Sequence, residues 1–340
     1  MKHSKIVIVT DAWLPQVNGV VITFETLKTI LEERGYEVEI LHPGMFSSVR
    51  MPFYPEVPLV LFAGRSVGNK LEASNADYIH IATEGPLGWA ARNWCVRNKV
   101  PFTTSYHTHF ALYLEKWTGS FVVPAVLSIL RRFHAPATHT LLGGQDLLDE
   151  MHEYGFKHLK LWPHGVDTTC FSRDMSGDIP ELPKPVFVYF GRISREKNIE
   201  EFLNADLPGT KLLIGDGPYR KKLERKYGAS AHFVGYQSGQ DLIRWLSRAD
   251  VLVFPSRTDT FGRVIIEALA CGIPVAAHNV VGPRGILTSG MDGVLDENIT
   301  EAAITALPLS AEACRATARK YSWKASADAF VANIVPVTRT

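Results

Sequence analysis

Apolar positions fall in short clusters separated by amphipathic stretches, and the two kinds alternate along the chain. KIVIVTD (residues 5–11) is a β-branched run ending in an acid, the pattern of a strand buried in a parallel sheet. AWLPQVNGV follows with Pro15 and Asn18-Gly19 as turn chemistry, then VITFETLKTILEERG, whose apolar positions recur at helical spacing until Gly35 stops them. YEVEILHP and DYIHIATEG read as strands, PLGWAARNWCVRNK as a helix, and VPFTTSYHTHF as a strand running into a loop. The pattern restarts after HGVDTTCF (164–171) and the proline-rich IPELPKP. In that second half VFVYFGR, KLLIGDGP, AHFVG, DVLVFPS and IPVAAH are strands, with PYRKKLERKYG and SGQDLIRWLSRA as helices between them. Alternation of this kind predicts an open parallel sheet with helices on both faces, here twice. The expected fold is α/β: two Rossmann-like, doubly wound domains, residues 1–163 and 164–322. A helical stretch, 323–340, follows, which either domain could receive, the N-terminal one included. Ligands of such folds bind outside the C-terminal ends of the strands, expected here to face a central cleft.

Composition agrees with two globular domains: 340 residues, 46% of them hydrophobic and 21% charged, leave enough apolar side chains for two cores. Lys and Arg number 15 against 15 Asp and Glu in residues 1–163, and 21 against 20 beyond. Neither half therefore offers a broad basic surface, and no nucleic-acid partner is expected. Cys95, Cys170, Cys271 and Cys314 form no C-x-x-C pair and read as reduced thiols. The N-terminal MKHSKIVIVTDAW has too short an apolar core for a signal peptide, and the longest apolar run, 121–130, falls short of the about 18 residues of a spanning helix. A cytoplasmic protein is expected, with peripheral placement at the inner face of the membrane open to it. VPAVLSILRRFH (123–134) sets Leu127, Ile129, Leu130 and Phe133 beside Arg131 and Arg132. Such a segment fits an anionic membrane surface that carries a lipid acceptor. A core helix with two surface arginines fits the same residues.

Candidate chemistry sits at strand ends. FGRISREKN (190–198) puts Arg192 and Lys197 behind Gly191, either as a clamp on a diphosphate or as a surface turn with Glu196 and Glu200 as partners. GDGP (215–218) opens with Gly215 and lets backbone approach a ligand, or makes a plain turn; it lacks the third glycine of a dinucleotide fingerprint. In PSRTDTFGRVIIEALACGIPV (255–275) a strand end, a loop and a helix follow one another, with Asp259 and Glu267 eight positions apart. The amides of Phe261, Gly262 and Arg263 then lie at a helix start, an anion site by geometry and dipole. Asp259 is a ligand contact or an N-cap; Glu267 is a ligand contact or a residue on a solvated face. In the first half YHTHF supplies His107 and His109, whose spacing could bind metal but has no further ligand cluster beside it. Glu84 reaches another strand end, as a functional group or a helix cap. Asn18-Gly19 makes a turn or lets backbone touch phosphate.

Together PQVNGV, YHTHF, HGVD, GRISREKN, GDGP and the D-x7-E stretch ending EALACGIPV resemble, in order and over nearly the whole chain, the retaining family-4 glycosyltransferases of GT-B fold. The likeness is strongest to bacterial glycolipid-forming members, such as glucosyl- or glucuronosyl-diacylglycerol synthases, and to GDP-mannose-dependent α-mannosyltransferases. The resemblance implies catalytic roles for His107, Arg192, Lys197 and Asp259. It implies a donor-binding set of Gly19, Gly191, Arg192, Lys197, Gly215, Asp259, Phe261, Gly262, Arg263 and Glu267. In it Arg192 and Lys197 hold the diphosphate, Glu267 accepts from the ribose, and Asp259 reads sugar hydroxyls. Asp259 stands where the family usually has Glu, which leaves the sugar open. No cofactor and no metal are implied: the nucleotide-diphosphate sugar is the donor substrate, and the chain contains no D-x-D. The acceptor is a lipid such as diacylglycerol, or a polysaccharide or lipopolysaccharide glycan. Two other enzymes share such a fold, a nucleotide-sugar 2-epimerase, which needs no acceptor, and a sugar phosphorylase, whose cofactor-lysine motif is not found. A non-catalytic two-lobed sugar-binding protein is the remaining alternative, though neither a signal sequence nor a helix-turn-helix is evident.

Overall fold

The computed structural model describes residues 4–16, 18–51, 54–60, 63–107, 120–171 and 179–338. They form two compact units, Met1–Pro163 with Lys324–Thr340, and His164–Trp323.

The first unit carries β1 (Lys5–Val9), α1 (Gly19–Glu33), β2 (Glu37–Leu41), a short antiparallel hairpin of β3 (Val49–Met51) and β4 (Tyr54–Leu59), and α2 (Gly64–Ser74). It continues with β5 (Tyr78–Ile81), α3 (Pro86–Arg97), β6 (Thr103–Tyr106), α4 (Val123–His134), β7 (His139–Leu142), α5 (Gln145–Glu153) and β8 (Leu159–Leu161). Six strands pair in parallel in the order β2-β1-β5-β6-β7-β8. Period-two alternation sends Ile6 and Ile8 of β1 into one core, with Phe24, Leu27, Trp162 and Phe330. Val7 and Val9 enter the core on the opposite face, with Val67, Leu87 and Phe133.

The second unit repeats the plan with β9 (Val186–Phe190), α6 (Ile199–Asn204), β10 (Thr210–Ile214), α7 (Arg220–Tyr227), β11 (His232–Gly235), α8 (Gly239–Leu246), β12 (Val251–Phe254), α9 (Arg263–Ala270), β13 (Val275–Ala277), β14 (Gly293–Leu295), α10 (Ile299–Ala306) and α11 (Ala311–Ala318). Its parallel order is β11-β10-β9-β12-β13-β14. Every residue of β9 is buried, as a central strand covered on both faces must be.

The closing helix α12 (Trp323–Asn333) packs on the first unit. Phe330 is fully buried there, Trp162 Nε1 donates to the Ser326 carbonyl at 3.1 Å, and Arg34 pairs with Asp328 at 2.7 Å. Among the described residues no helix is long and apolar enough to cross a membrane. The basic apolar segment expected at 123–134 divides in the structure: Leu127, Leu130 and Phe133 of α4 enter the core. Ile129, 56% exposed, stays outside with Arg131 and Arg132, and Phe121 just before the helix is 80% exposed.

Candidate functional site

An open parallel sheet leaves a crevice where its strand order turns back, at the C-terminal ends of the two strands flanking the reversal. In the second unit those strands are β9 and β12. The loop after β9 carries Gly191 and Arg192 and a single 3-10 turn, Arg195–Lys197, closed by Asn198 in a left-handed conformation (φ 56°). The loop after β12 carries Asp259, Phe261 and Gly262. Lys197 Nζ forms a salt bridge to Asp259 Oδ1 and joins the two loops. Glu200 pairs with Lys226 at 3.3 Å and Glu196 takes the Ser194 hydroxyl, so Lys197 is joined to Asp259 rather than to either glutamate. Arg192 is half-buried, its carbonyl held by the Tyr189 hydroxyl at 2.7 Å.

Asp259 is not the cap of α9. That position belongs to Gly262, at φ 82°, which has no side chain to close the first amides of the helix. Lysine brings three donors, so the Asp259 bond leaves two for a ligand. Four polar atoms at this end of the sheet are buried with no hydrogen-bond partner among the described residues: Ser256 Oγ, Asp259 Oδ2, and Nε and Nη1 of Arg263. Buried groups of this kind cost free energy unless something binds them. Arg263 gives its third nitrogen, Nη2, to Glu267 Oε1 at 2.8 Å, and its guanidinium lies 5.8 Å from the Trp323 ring centroid. Glu267 is 8% exposed, which rules out the solvated face considered for it. Burial pushes its carboxyl up, against the opposing pull of Arg263. Phe261 packs edge-on against His164 of the HGVD segment at 5.0 Å.

GDGP supports this site from behind. A Cβ on Gly215 (φ 143°) would lie 1.9 Å from the Gly191 carbonyl oxygen, and one on Gly217 2.3 Å from that of Ile193. The loops are tied by Gly191 N to Ile214 O at 2.9 Å and Ile193 N to Asp216 O at 2.8 Å. The backbone that Gly215 admits is therefore the Arg192 loop. Gly282 does the same for the other side, with a Cβ position 2.5 Å from the Asp259 carbonyl oxygen.

In the first unit the reversal lies between β1 and β5. Asp11, directly beyond β1, accepts from Leu87 N (2.8 Å), Gly88 N (3.2 Å) and Thr83 Oγ1 (2.9 Å). The N-terminus of α3 is thus filled by the chain's own carboxylate. Burial raises the Asp11 carboxyl, opposed by these bonds. Gly85 is required beside it, since a Cβ there would meet Asp11 Cγ at 2.4 Å. Glu84 caps no helix; it meets His134 Nε2 at 3.2 Å in the interior. Gly19 opens α1 next to Asn18, whose Oδ1 takes Val20 N and Val21 N at 3.1 and 3.0 Å, and a Cβ at Gly19 would meet nothing within 4 Å. His107 follows β6, half-buried, with Nε2 2.8 Å from Ser105 Oγ. Burial lowers it to about 4, with the nearby His134 as a second cause, so the ring is neutral at pH 7. His109 lies outside the described residues.

The structure thus assembles Gly191, Arg192, Lys197, Asp259, Phe261, Gly262, Arg263 and Glu267 at one sheet end of the second unit, with Gly215 behind them, while Gly19 and His107 stand at strand ends of the first. The sequence reading missed Asp11, Ser256, Gly282 and the side chain of Arg263. The acid that ends KIVIVTD was the visible trace of the first.

The fold defines the class. Sucrose-phosphate synthase from Thermosynechococcus elongatus matches with a TM-score of 0.79 at 20% identity, over 97% of this chain and 98% of that one. Anabaena HepE in complex with UDP-glucose matches at 0.69 and 17%, over 97% and 99%. Two Rossmann-like parallel-sheet units of this kind make a GT-B fold. Residues 17–169 match the family described as Glycosyltransferase Family 4, and residues 176–326 the one described as Glycosyl transferases group 1. The chain is 30% identical to sulfoquinovosyl transferase SQD2 of Arabidopsis thaliana, over 91% of its own length and 69% of that protein. It is 28% identical to a GDP-mannose-dependent alpha-mannosyltransferase of Corynebacterium glutamicum (87% and 77%) and 27% identical to the alpha-monoglucosyldiacylglycerol synthase of Streptococcus pneumoniae (94% and 82%). The chain belongs to this family of group 1, family 4 glycosyltransferases.

Proposed function

We propose that the protein is a retaining glycosyltransferase that moves a hexosyl unit from a nucleotide-diphosphate sugar to a lipid acceptor such as diacylglycerol, without a metal ion. UDP-glucose, UDP-glucuronate and GDP-mannose are the candidate donors. The observation that carries this reading is the strand-end set of the second unit: Lys197 fixed by Asp259, an α9 start without a side-chain cap, and buried unpartnered donors on Arg263.

Breaking the bond between the sugar and the phosphate builds negative charge on the leaving diphosphate. Arg192, Lys197 and the amides of Phe261, Gly262 and Arg263 would stabilise that charge more in the transition state than in the ground state, and they are oriented before reaction begins. Glu267 accepts from the ribose, and the unpartnered Oδ2 of Asp259 from a hydroxyl of the transferred sugar. Neutral His107 hydrogen-bonds a sugar hydroxyl without adding a charge that would compete for the leaving group. In the retaining path the anomeric carbon loses its bond to the phosphate oxygen and gains one to the acceptor oxygen on the same face. The acceptor's proton passes to the departing diphosphate. A lipid acceptor is supported by the alpha-monoglucosyldiacylglycerol synthase named among the relatives, and by Phe121, Ile129, Arg131 and Arg132 exposed around α4, a combination suited to an anionic membrane surface.

A panel of UDP- and GDP-sugars, assayed for nucleotide release with and without diacylglycerol in anionic vesicles, tests the proposal. Release that requires the acceptor is expected. Sugar conversion without acceptor would make the protein an epimerase, and tight binding with no turnover a sugar-binding protein. Failure to co-sediment with anionic vesicles at low salt would remove the membrane surface from the account.

A further inference from the structure

Three residues of the first unit outside the donor set form a chain that ends on His107. β5 and β6 pair in parallel with His80 opposite Thr103. Thr103 and Ser105 alternate onto one face of β6, and His107 follows directly beyond the strand. His80 Nδ1 lies 2.9 Å from Thr103 Oγ1, and His80 Nε2 lies 3.1 Å from Ser105 Oγ. The same Ser105 oxygen is 2.8 Å from His107 Nε2 and 3.3 Å from the Ala82 carbonyl oxygen. Thr103, His80 and Ser105 are fully buried. Phe24 and Trp162 stand against both imidazoles, at ring-centroid distances of 5.5 to 6.2 Å, and Phe330 closes on His80 at 5.0 Å. Burial holds both rings neutral, and the closeness of the two imidazoles further disfavours a proton on His80.

Two neutral rings then share one serine proton, and Ser105 has three acceptors in reach: His107 Nε2 at 2.8 Å, His80 Nε2 at 3.1 Å and the Ala82 carbonyl at 3.3 Å. An O–H donor favours contacts of about 2.7–2.8 Å. The 2.8 Å contact fits Ser105 O–H donating to His107 Nε2. His80 Nε2–H then donates to Ser105 at 3.1 Å, and His80 Nδ1, the bare nitrogen of a neutral ring, accepts from the Thr103 hydroxyl at 2.9 Å. The third arrangement, in which both rings donate to Ser105 and the serine donates to Ala82, would place its proton in the longest of the available contacts. Imidazole orientation and tautomer are set by the bond the other nitrogen makes.

We propose that Ser105, itself oriented by His80, is a positioning residue that holds His107 as the Nδ1–H tautomer, so that His107 presents a fixed hydrogen-bond donor to a hydroxyl of the transferred sugar. The role of His107 as a sugar contact rests on the transferase reading; the tautomer does not. Long-range 1H–15N correlation on the 15N-labelled full-length chain, with His107→Gln to assign the signals, reads the protonation of each ring nitrogen directly. A protonated Nδ1 and bare Nε2 on His107 are expected, and a protonated Nε2 overturns the proposal. In Ser105→Ala the His107 signals should move toward the Nε2–H form. In the same variant kcat should fall about tenfold, with KM for the donor and binding of free UDP or GDP unchanged, and Ser105→Thr should restore both signals and rate. Unchanged His107 signals in Ser105→Ala overturn it. The wild-type spectrum decides even where a variant fails to fold. An Nδ1–H His107 in a protein that turns over no sugar donor would sink the transferase reading and leave the proton assignment standing.

Discussion

The two units share a plan and differ in what they do with the ends of their helices. In the first, the start of α3 is occupied by Asp11 and the start of α1 by Asn18. The one candidate catalytic side chain there, His107, is kept uncharged by burial. In the second, α9 starts at Gly262 with no side-chain cap, and Lys197 is held by Asp259 in the loop that leads into it. A helix N-terminus attracts an anion in either case. Where the chain supplies its own carboxylate, the site is used up in folding. Where it supplies glycine, the site remains for a ligand. On the proposed reading, then, the fold alone would not decide which half takes the diphosphate; a few cap residues would.

The sharpest way to break this comparison is to remove the cations. Arg192→Ala or Lys197→Ala should lower kcat about a hundredfold, or about 3 kcal/mol of transition-state stabilisation, as for loss of one preorganised donor. Near-normal steady-state turnover in both variants would end the diphosphate assignment. Next in size is the other unit's anion. Asp11→Ala leaves the amides of Leu87 and Gly88 without their acceptor and should cost about 2–3 kcal/mol of stability in urea denaturation. Binding of UDP or GDP to the folded variant should be unchanged; its loss would show that the two anion sites are not independent. The smallest expected effect is with pH. His107 is held near 4 against an ordinary 6.5, and His80 is lowered too, so the unfolded chain binds more protons than the folded one between those values. Stability is then full above about pH 6.5 and falls as pH drops, by roughly 2 kcal/mol from pH 7 to 5 for one such group. Asp11 and Glu267, both raised, act in the opposite sense and nearer the carboxylate range. Hydrogen exchange measured at pH 7 and 5 should place the loss in the first unit.

Much of this was legible in the sequence because its signals are local. VFVYF can only be a strand covered on both faces, and RVIIEALA between TDTFG and a glycine stop is a helix of the length observed. Weak periodicity hid β8, whose LKL is mostly exposed at a sheet edge, and the three-residue β14. The sequence left α4 open between a membrane-facing segment and a core helix because the partners of its apolar face, Phe102 and Trp89 among them, are remote in sequence. The same limit applies to the site. Arg192 and Lys197 lie in a recognisable loop and Glu267 in a recognisable helix, but the contacts that join the loops are long-range: Lys197 is 62 positions from Asp259, and Asp11 is 76 from Leu87. His80 carried no signal at all, since a lone histidine in YIHI has no meaning until β5 is laid beside β6.

The chain leaves the first unit after Pro163 and re-enters it at Lys324. The second unit is thus, in topological terms, an insert, and the tail belongs to its host. Any chimera that exchanges the insert for that of a relative has two splice points, and the residues after the second must stay with the recipient. Phe330 sits 5.0 Å from the His80 ring, so a foreign tail would replace one wall of that imidazole. A swap meant to change only donor preference would then also alter the half that carries His107.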